Sequence, residues 1–396
     1  MSATLKPSTG VDREALAAEI VNRRQLLAKR MESAGLDAVV VASEANDFYL
    51  TGYETTFFGN LSKPLAVVFA PPARPVVICH VGEATSVGLD AIDVDVEPYT
   101  GPDALDVDGH LQIEYQLPAA RAVAAHLRRV GARVVGMELS WHFIPGFTPL
   151  AFDALGQELG EVRDASGILW ELRRVKSEWE IGQMALAAEV AEAAHRAFAA
   201  AAEIGMSERD LNRLIRLASY EAGAEKIGYS GIIAGIDRAP LGGPTNRTWE
   251  RGQSLFVDIC LQLNGGYFAD FNRMYTSVEP TEAEAEAYQE IVDGLDRGRA
   301  SVRAGAKVSE VARALLGDGE TIYSRVGHGL GLEMPEPPSL SPDDETTLRS
   351  GEVICLEPNL EIPGVGWFVS EEEVVVRDGG FDLLSPPFPR GLRVIG

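Results

Sequence analysis

The stretch Leu255–Tyr275, LFVDICLQLNGGYFADFNRMY, sets two apolar β-like runs on either side of a turn at Asn264, Gly265 and Gly266. One aspartate interrupts each run, Asp258 in the first and Asp270 in the second. A carboxylate inside a strand is costly to bury unless it is paired or bound to a cation, so the two aspartates ask for a partner. If the runs pair as a hairpin, both carboxylates lie near one another towards its open end. Taken alone, one or both read more readily as solvent-facing positions of an acidic chain.

The same interruption recurs further on. Glu357 stands between Leu356 and Pro358 in VICLEPNL (353–360), and Glu372 lies in FVSEEEVVV (368–376). Glu372 is the middle of three consecutive glutamates, and strand alternation puts Glu371 and Glu373 together on the face opposite to it. Between these runs and the hairpin comes RVGHGLGLEMPEPPSL (325–340), where His328 sits among glycines. The chain has 6 histidines, and none but His328 lies beyond His195. Four carboxylates with a single imidazole suit a pair of manganese, iron, cobalt or zinc ions sharing bridging carboxylates, and suit a structural zinc site poorly.

Bulk properties bound the possibilities. At 396 residues the chain fits two domains, and 46% hydrophobic with 24% charged residues is ordinary globular composition. A formal net charge of −24, with no basic face visible in the sequence, argues against nucleic-acid binding. Cys79, Cys260 and Cys355 are scattered in β-like apolar runs, which predicts buried reduced thiols. With no signal-like segment at the start and no run of apolar residues of membrane-spanning length, the expected location is the cytoplasm, away from any membrane.

Along the chain, DREALAAEIVNRRQLLAKRMESAGL (12–36) has helical spacing and ends at a glycine, and DAVVVAS (37–43) reads as a strand. LAVVFAPPARPVVICH (65–80) holds two β-branched runs around a proline-rich turn, and PAARAVAAHLRRVG (118–131) is a helix leading into the strand ARVVGMEL (132–139). This alternation predicts an α/β domain over 1–168. Ser177 and Glu180 have capping-box spacing, so a long helix starts there and the second domain runs over 169–396. Helices starting at Ser207 and Thr281 and blocks of antiparallel-looking strands, among them EVICLEPNLEI (352–362) and WFVSEEEVVVR (367–377), make that domain α+β.

The order Asp258, Asp270, His328 in GHGLGL, Glu357 in LEPN and Glu372 before VVV resembles the pita-bread metallopeptidase family, which includes methionine aminopeptidase, aminopeptidase P, prolidase and the metal-free creatinase. LRRVKSEWEI (172–181) is similar to the joint between the two domains of prolidases and creatinases, and GLDAVVVASEANDFYLTGY (35–53) to the opening of their N-terminal domain. The resemblance implies a C-terminal pita-bread domain behind a smaller creatinase-like α/β domain. It also implies two divalent metal ions held by Asp258, Asp270, His328, Glu357 and Glu372, with a bridging water attacking a carbonyl while Glu357 relays its proton. The substrate class implied is a small molecule or Xaa-Pro-like dipeptide cleaved at a C–N bond, and the expected partner is a second copy of the chain.

Departures from the resemblance bear on chemistry. Prolidases carry a histidine where this chain has Leu241, and another where Pro335 is followed by Glu336; loss of groups that steady a tetrahedral intermediate typically costs a few powers of ten in rate. The separation of Asp258 and Asp270 is one residue longer than in common peptidases of the family, and Asn272–Arg273 replaces a threonine–arginine pair. These differences leave room for the non-peptidase branch, hydrolases of the creatinase and ectoine hydrolase type or a lyase of the dimethylsulfoniopropionate type. Phe57 and Phe58, in YLTGYETTFFGNLSK (49–63), stand where one subunit of such relatives reaches into its partner's active site; ordinary core or dimer packing explains them equally well.

Overall fold

The computed structural model describes residues 11–55, 63–101, 111–140, 147–238, 242–319, 321 and 324–396. The chain forms two compact units that divide between Arg173 and Arg174. Phe57, Phe58 and Leu241 lie outside the described residues.

The first unit contains α1 (Arg13–Ala34), β1 (Ala38–Val41), α2 (Glu44–Thr51), β2 (Ala66–Phe69), β3 (Val76–His80), α3 (Ala84–Asp90), β4 (Asp95–Tyr99), α4 (Leu111–Val130), β5 (Val134–Met137), α5 (Pro149–Glu158), β6 (Glu161–Asp164) and α6 (Ser166–Arg174). Asp12 caps the start of α1 through hydrogen bonds from the Glu14 and Ala15 amides, and Gly35, at φ 64°, ends it in the left-handed conformation that glycine adopts without strain. Six strands form one sheet in the order β4-β3-β2-β1-β5-β6. The proline-rich turn makes β2 and β3 antiparallel neighbours, whereas β1, β5 and β6 run parallel because helices return the chain between them. Val40, Val68, Ile78 and Val135 pack with Val123, Ala124 and Leu127 of α4, so a β-branched sheet face meets a small-residue helix face.

The second unit begins at the capping box of Ser177 and Glu180, both of whose reciprocal hydrogen bonds form. Its elements are α7 (Glu178–Ala201), α8 (Glu208–Ala222), β7 (Lys226–Ala234), β8 (Ser254–Gln262), β9 (Phe268–Thr276), α9 (Glu282–Ser301), α10 (Val308–Leu316), β10 (Gly327–Gly329), β11 (Glu336–Ser339), β12 (Val353–Leu356), β13 (Asn359–Ile362), β14 (Gly366–Val369), β15 (Glu372–Arg377), β16 (Gly380–Leu383) and β17 (Arg393–Val394). One sheet has the order β17-β9-β8-β7, a second has β11-β10-β12-β15-β16, and β13 and β14 pair as a ribbon of their own. Helices α7 and α8 cover the first sheet through Ala187, Ala191, Phe198, Leu211 and Ile215. Helices α9 and α10 cover the second through Tyr288, Ile291, Leu295, Val311 and Leu315. Among the described residues no helix is long and apolar enough to cross a membrane.

Two runs that read as single strands are each broken in two. EVICLEPNLEI becomes β12 and β13, and WFVSEEEVVVR becomes β14 and β15. Pro358 lacks an amide to continue the first ladder, so the pair of strands leaves one sheet and restarts as the ribbon. Glu357 and Glu371 sit at the two breaks.

Candidate metal centre

Strand alternation decides which side chains meet. On β8, Leu255, Val257, Ile259 and Leu261 face α7 and α8, which turns Asp258 and Cys260 to the other side. The β8–β9 register sets Cys260 opposite Asp270 and Asp258 opposite Asn272, so these four side chains share one face. That register runs unbroken from Ser254–Thr276 to Gln262–Phe268, and the residues between the strands absorb the extra length without displacing the aspartates. Asp258 and Asp270 lie within the paired strands, diagonal to one another, and not at the hairpin's open end.

On the second sheet, Ile354 and Leu356 of β12 and Val374 and Val376 of β15 face α9 and α10. Cys355 therefore turns the other way, and its register partners His328 and Glu373 turn with it. Leu356 lies opposite Glu372, and Asn359 lies opposite Val369 in the ribbon, so continuing either ladder places Glu357 across from Glu371. Asp270 joins the two sheets directly: its amide donates to Glu373 Oε1 at 2.5 Å.

Asp270, His328, Cys355 and Glu371 each offer a ligand atom, all four atoms within 4.8 Å of one another. The surrounding carboxyls behave as a like-charge cluster. Burial raises the pKa of Asp258, Asp270, Glu357, Glu371 and Glu373, and mutual repulsion adds to it at Asp258, Asp270 and Glu371. His328 is driven the other way, to about 4, chiefly by burial and then by Arg325. Its Nδ1–H donates to the Gly329 carbonyl at 3.0 Å, which leaves Nε2 as a lone pair 3.6 Å from Asp270 Oδ2. Asp258 Oδ1, Glu373 Oε2 and both amide atoms of Asn272 are buried with no hydrogen-bond partner among the described residues. Orphaned oxygens beside a neutral imidazole fit a divalent cation, to which Cys355 adds one soft donor.

Glu372 departs from its expected role as a ligand. Both its carboxylate oxygens accept from Arg299 Nη1 of α9, at 3.2 and 3.0 Å, and Oε1 also takes the Phe388 amide. It belongs to the helix-facing side of β15, and Glu371 occupies the place by the aspartates. Glu371→Gln is expected to strip metal from the protein. Glu372→Gln is expected to keep the metal and lose about 3–5 kcal/mol of stability, the typical result of orphaning one member of a buried pair; elemental analysis with a denaturation curve separates the two. Glu336 is buried among partners of its own. Lys176 Nζ lies 2.9 Å from its Oε2, and the Leu332 and Glu333 amides donate to its Oε1, so it anchors the loop ahead of β11. Pro335, half-buried, immediately precedes that strand.

Residues 182–378 match the Metallopeptidase family M24, and residues 23–175 match the Creatinase/Prolidase N-terminal domain. The chain belongs to family M24. This M24 chain is 26% identical over 365 residues to a Xaa-Pro dipeptidase of Pyrococcus horikoshii, covering 90% of the chain and 94% of that relative. A Xaa-Pro dipeptidase of Pyrococcus furiosus is 29% identical over 233 residues, 57% of this chain and 67% of that one. The fold is that of the X-Pro aminopeptidase of Thermotoga maritima, with TM-score 0.79 at 18% identity over 94% of this chain and 99% of the other. It is equally that of the Pyrococcus furiosus prolidase, with TM-score 0.75 at 22% identity over 91% and 99%. The protein is thus a two-domain, pita-bread metallohydrolase, and the M24 family implies divalent metal ions.

Sequence reasoning left three residues of this M24 site unassigned. Glu371 was set aside on the face opposite Glu372, although the split of each terminal run into two strands decides between them. Glu373 and Cys355 follow from the same alternation once β12 and β15 are paired.

Proposed function

We propose that the protein hydrolyses the C–N bond of a Xaa-Pro-like dipeptide or similarly small amide at a pair of divalent ions held by Asp258, Asp270, His328, Glu357 and Glu371. The observation that carries this reading is the grouping of Asp270, His328 and Glu371 with Cys355, with Asp258 and Glu357 close enough to repel the carboxyls of that group and Asp258 Oδ1 left without a partner among the described residues. Two cations there would supply an acidified water and a positive charge for the substrate carbonyl.

The remaining roles fall to the chain. Neutral His328 presents Nε2 because Gly329 holds its other nitrogen. Glu373 fixes the backbone of Asp270 and so the direction of its carboxylate. Glu357 keeps part of its surface open, whereas Asp270 and Glu371 are 3% and 1% exposed. It is therefore the carboxyl able to accept a proton from water and hand it to the departing amine. The full-length relative from Pyrococcus horikoshii, a Xaa-Pro dipeptidase, supports the substrate class.

Elemental analysis of protein purified without chelators, followed by assays on Xaa-Pro dipeptides in isotopically labelled water, tests the proposal. About two equivalents of a transition metal per chain and one labelled oxygen in the new carboxylate are expected. Folded protein that takes up no metal, or cleavage without label, would defeat it.

A further inference from the structure

Hydrolysis of an amide passes through a tetrahedral oxyanion, and besides cations a fixed hydrogen-bond donor open to substrate can steady it. Few groups beside the carboxylate cluster qualify. His328 spends its Nδ1–H on Gly329. The Asn272 amide lies on the right face but is 0% exposed, beyond the reach of a substrate. Tyr229 on β7 differs from both.

β7 pairs with β8 through a bulge at Gly228, which sets Tyr229 opposite Cys260 and Gly231 opposite Asp258. The phenol ring folds back along its own strand over Gly231. A β-carbon at Gly231 would lie 2.7 Å from Tyr229 Oη, 3.1 Å from Cε1 and 3.2 Å from Cζ. The missing side chain of Gly231 is thus the space in which the hydroxyl lies, on the face that Asp258 occupies. Asn212 of α8 secures the neighbouring residue, its Nδ2 donating to Ser230 O at 3.0 Å and Ser230 Oγ at 2.8 Å. Tyr229 itself is half-buried. Burial first, then the charges of Asp258, Asp270, Glu357 and Glu371, raises its pKa above the usual phenol range, so the proton stays available to donate.

We propose that Tyr229, held in the space left by Gly231, is the catalytic donor that binds the oxyanion of the tetrahedral state. The proposal rests on the hydrolytic reading above and deepens it. In the step, no covalent bond to the tyrosine forms: its O–H donates a hydrogen bond as negative charge gathers on the former carbonyl oxygen, and keeps its proton as the C–N bond breaks.

The test uses metal-loaded full-length protein and a phosphinic analogue of a Xaa-Pro dipeptide, a stable tetrahedral anion, with free proline as the product control. Tyr229→Phe is expected to weaken phosphinate affinity about 100-fold, in line with removal of one oxyanion donor, and to lower kcat by a similar factor at unchanged KM. Proline affinity, metal content and melting temperature stay at their wild-type values. Gly231→Ala keeps the hydroxyl but pushes it aside, and is expected to reproduce the loss in part. Equal phosphinate affinity in wild type and Tyr229→Phe overturns the assignment. A wild type that binds the phosphinate no better than proline overturns the hydrolytic reading, and the donor with it.

Discussion

Asparagine in place of Asp270 is expected to remove bound metal and turnover together while leaving the metal-free protein at least as stable as before. Asp270 is 3% exposed and lies where the sheets meet, its ligand atom grouped with those of His328, Cys355 and Glu371. The substitution keeps volume and shape but removes one anionic oxygen. Without that charge, the cluster loses the cation and the several kcal/mol of charge stabilisation it supplies, which amounts to a fall in turnover of about a thousandfold or more. The stability effect runs the other way. In the metal-free state Asp270 is held well above the usual carboxyl range, first by burial and then by repulsion from Asp258, Glu357 and Glu373. Removing one member of a buried like-charge group relieves that cost. Elemental analysis and thermal melting in chelator read both effects. A variant that retains metal at the wild-type level, or whose metal-free form melts well below metal-free wild type, would show that Asp270 serves packing and not the ion.

How much of this was legible before the fold was known depends on what each residue needs as context. The hairpin of β8 and β9 was readable because the Asn264–Gly266 turn, an aliphatic run before it and an aromatic run after it specify it locally. The helices beginning after Ser177, Ser207 and Thr281 were readable for the same reason, since each cap is a matter of three or four residues. Alternation alone divided the three glutamates correctly, with Glu371 and Glu373 on one side and Glu372 on the other. It could not say which side faces the aspartates, because that depends on α9 packing beneath β15 and presenting Arg299 to Glu372. The pairing of Glu336 was unreadable for a related reason: Lys176, whose ammonium fixes it, lies 160 residues away in the chain. Tyr229 gave no signal at all. Its placement needs a bulge at Gly228, an empty position at Gly231 and a pairing of β7 with β8, none of which a single sequence reveals.

Metal-free protein is expected to lose stability more steeply than metal-loaded protein as pH rises from about 6.5 to about 8. Burial moves Glu373 from an ordinary 4.5 up to about 8 and Glu357 from 4.5 up to about 7. Over that range the unfolded chain has already released these protons while the folded chain still holds them. The folded state then binds more protons than the unfolded one, so its stability falls with each step upward in pH. The histidines oppose this only lower down. His328 is lowered from 6.5 to about 4 and His195 from 6.5 to about 3, so both favour folding as pH climbs toward 6.5 and contribute nothing above it. Buried Asp47 of the first unit, raised well above the usual carboxyl range, adds to the fall in both forms of the protein. The difference between loaded and metal-free protein therefore isolates the cluster. Cation binding displaces the same protons, so affinity for the metal strengthens across the window; at a thousand times its dissociation constant a ligand adds about 4 kcal/mol. Melting curves at several pH values, with chelator and with excess manganese, measure the gap. It should widen steadily from pH 6.5 to 8, and a gap that stays constant or narrows would mean that these carboxyls carry their charge without a cation to hold it.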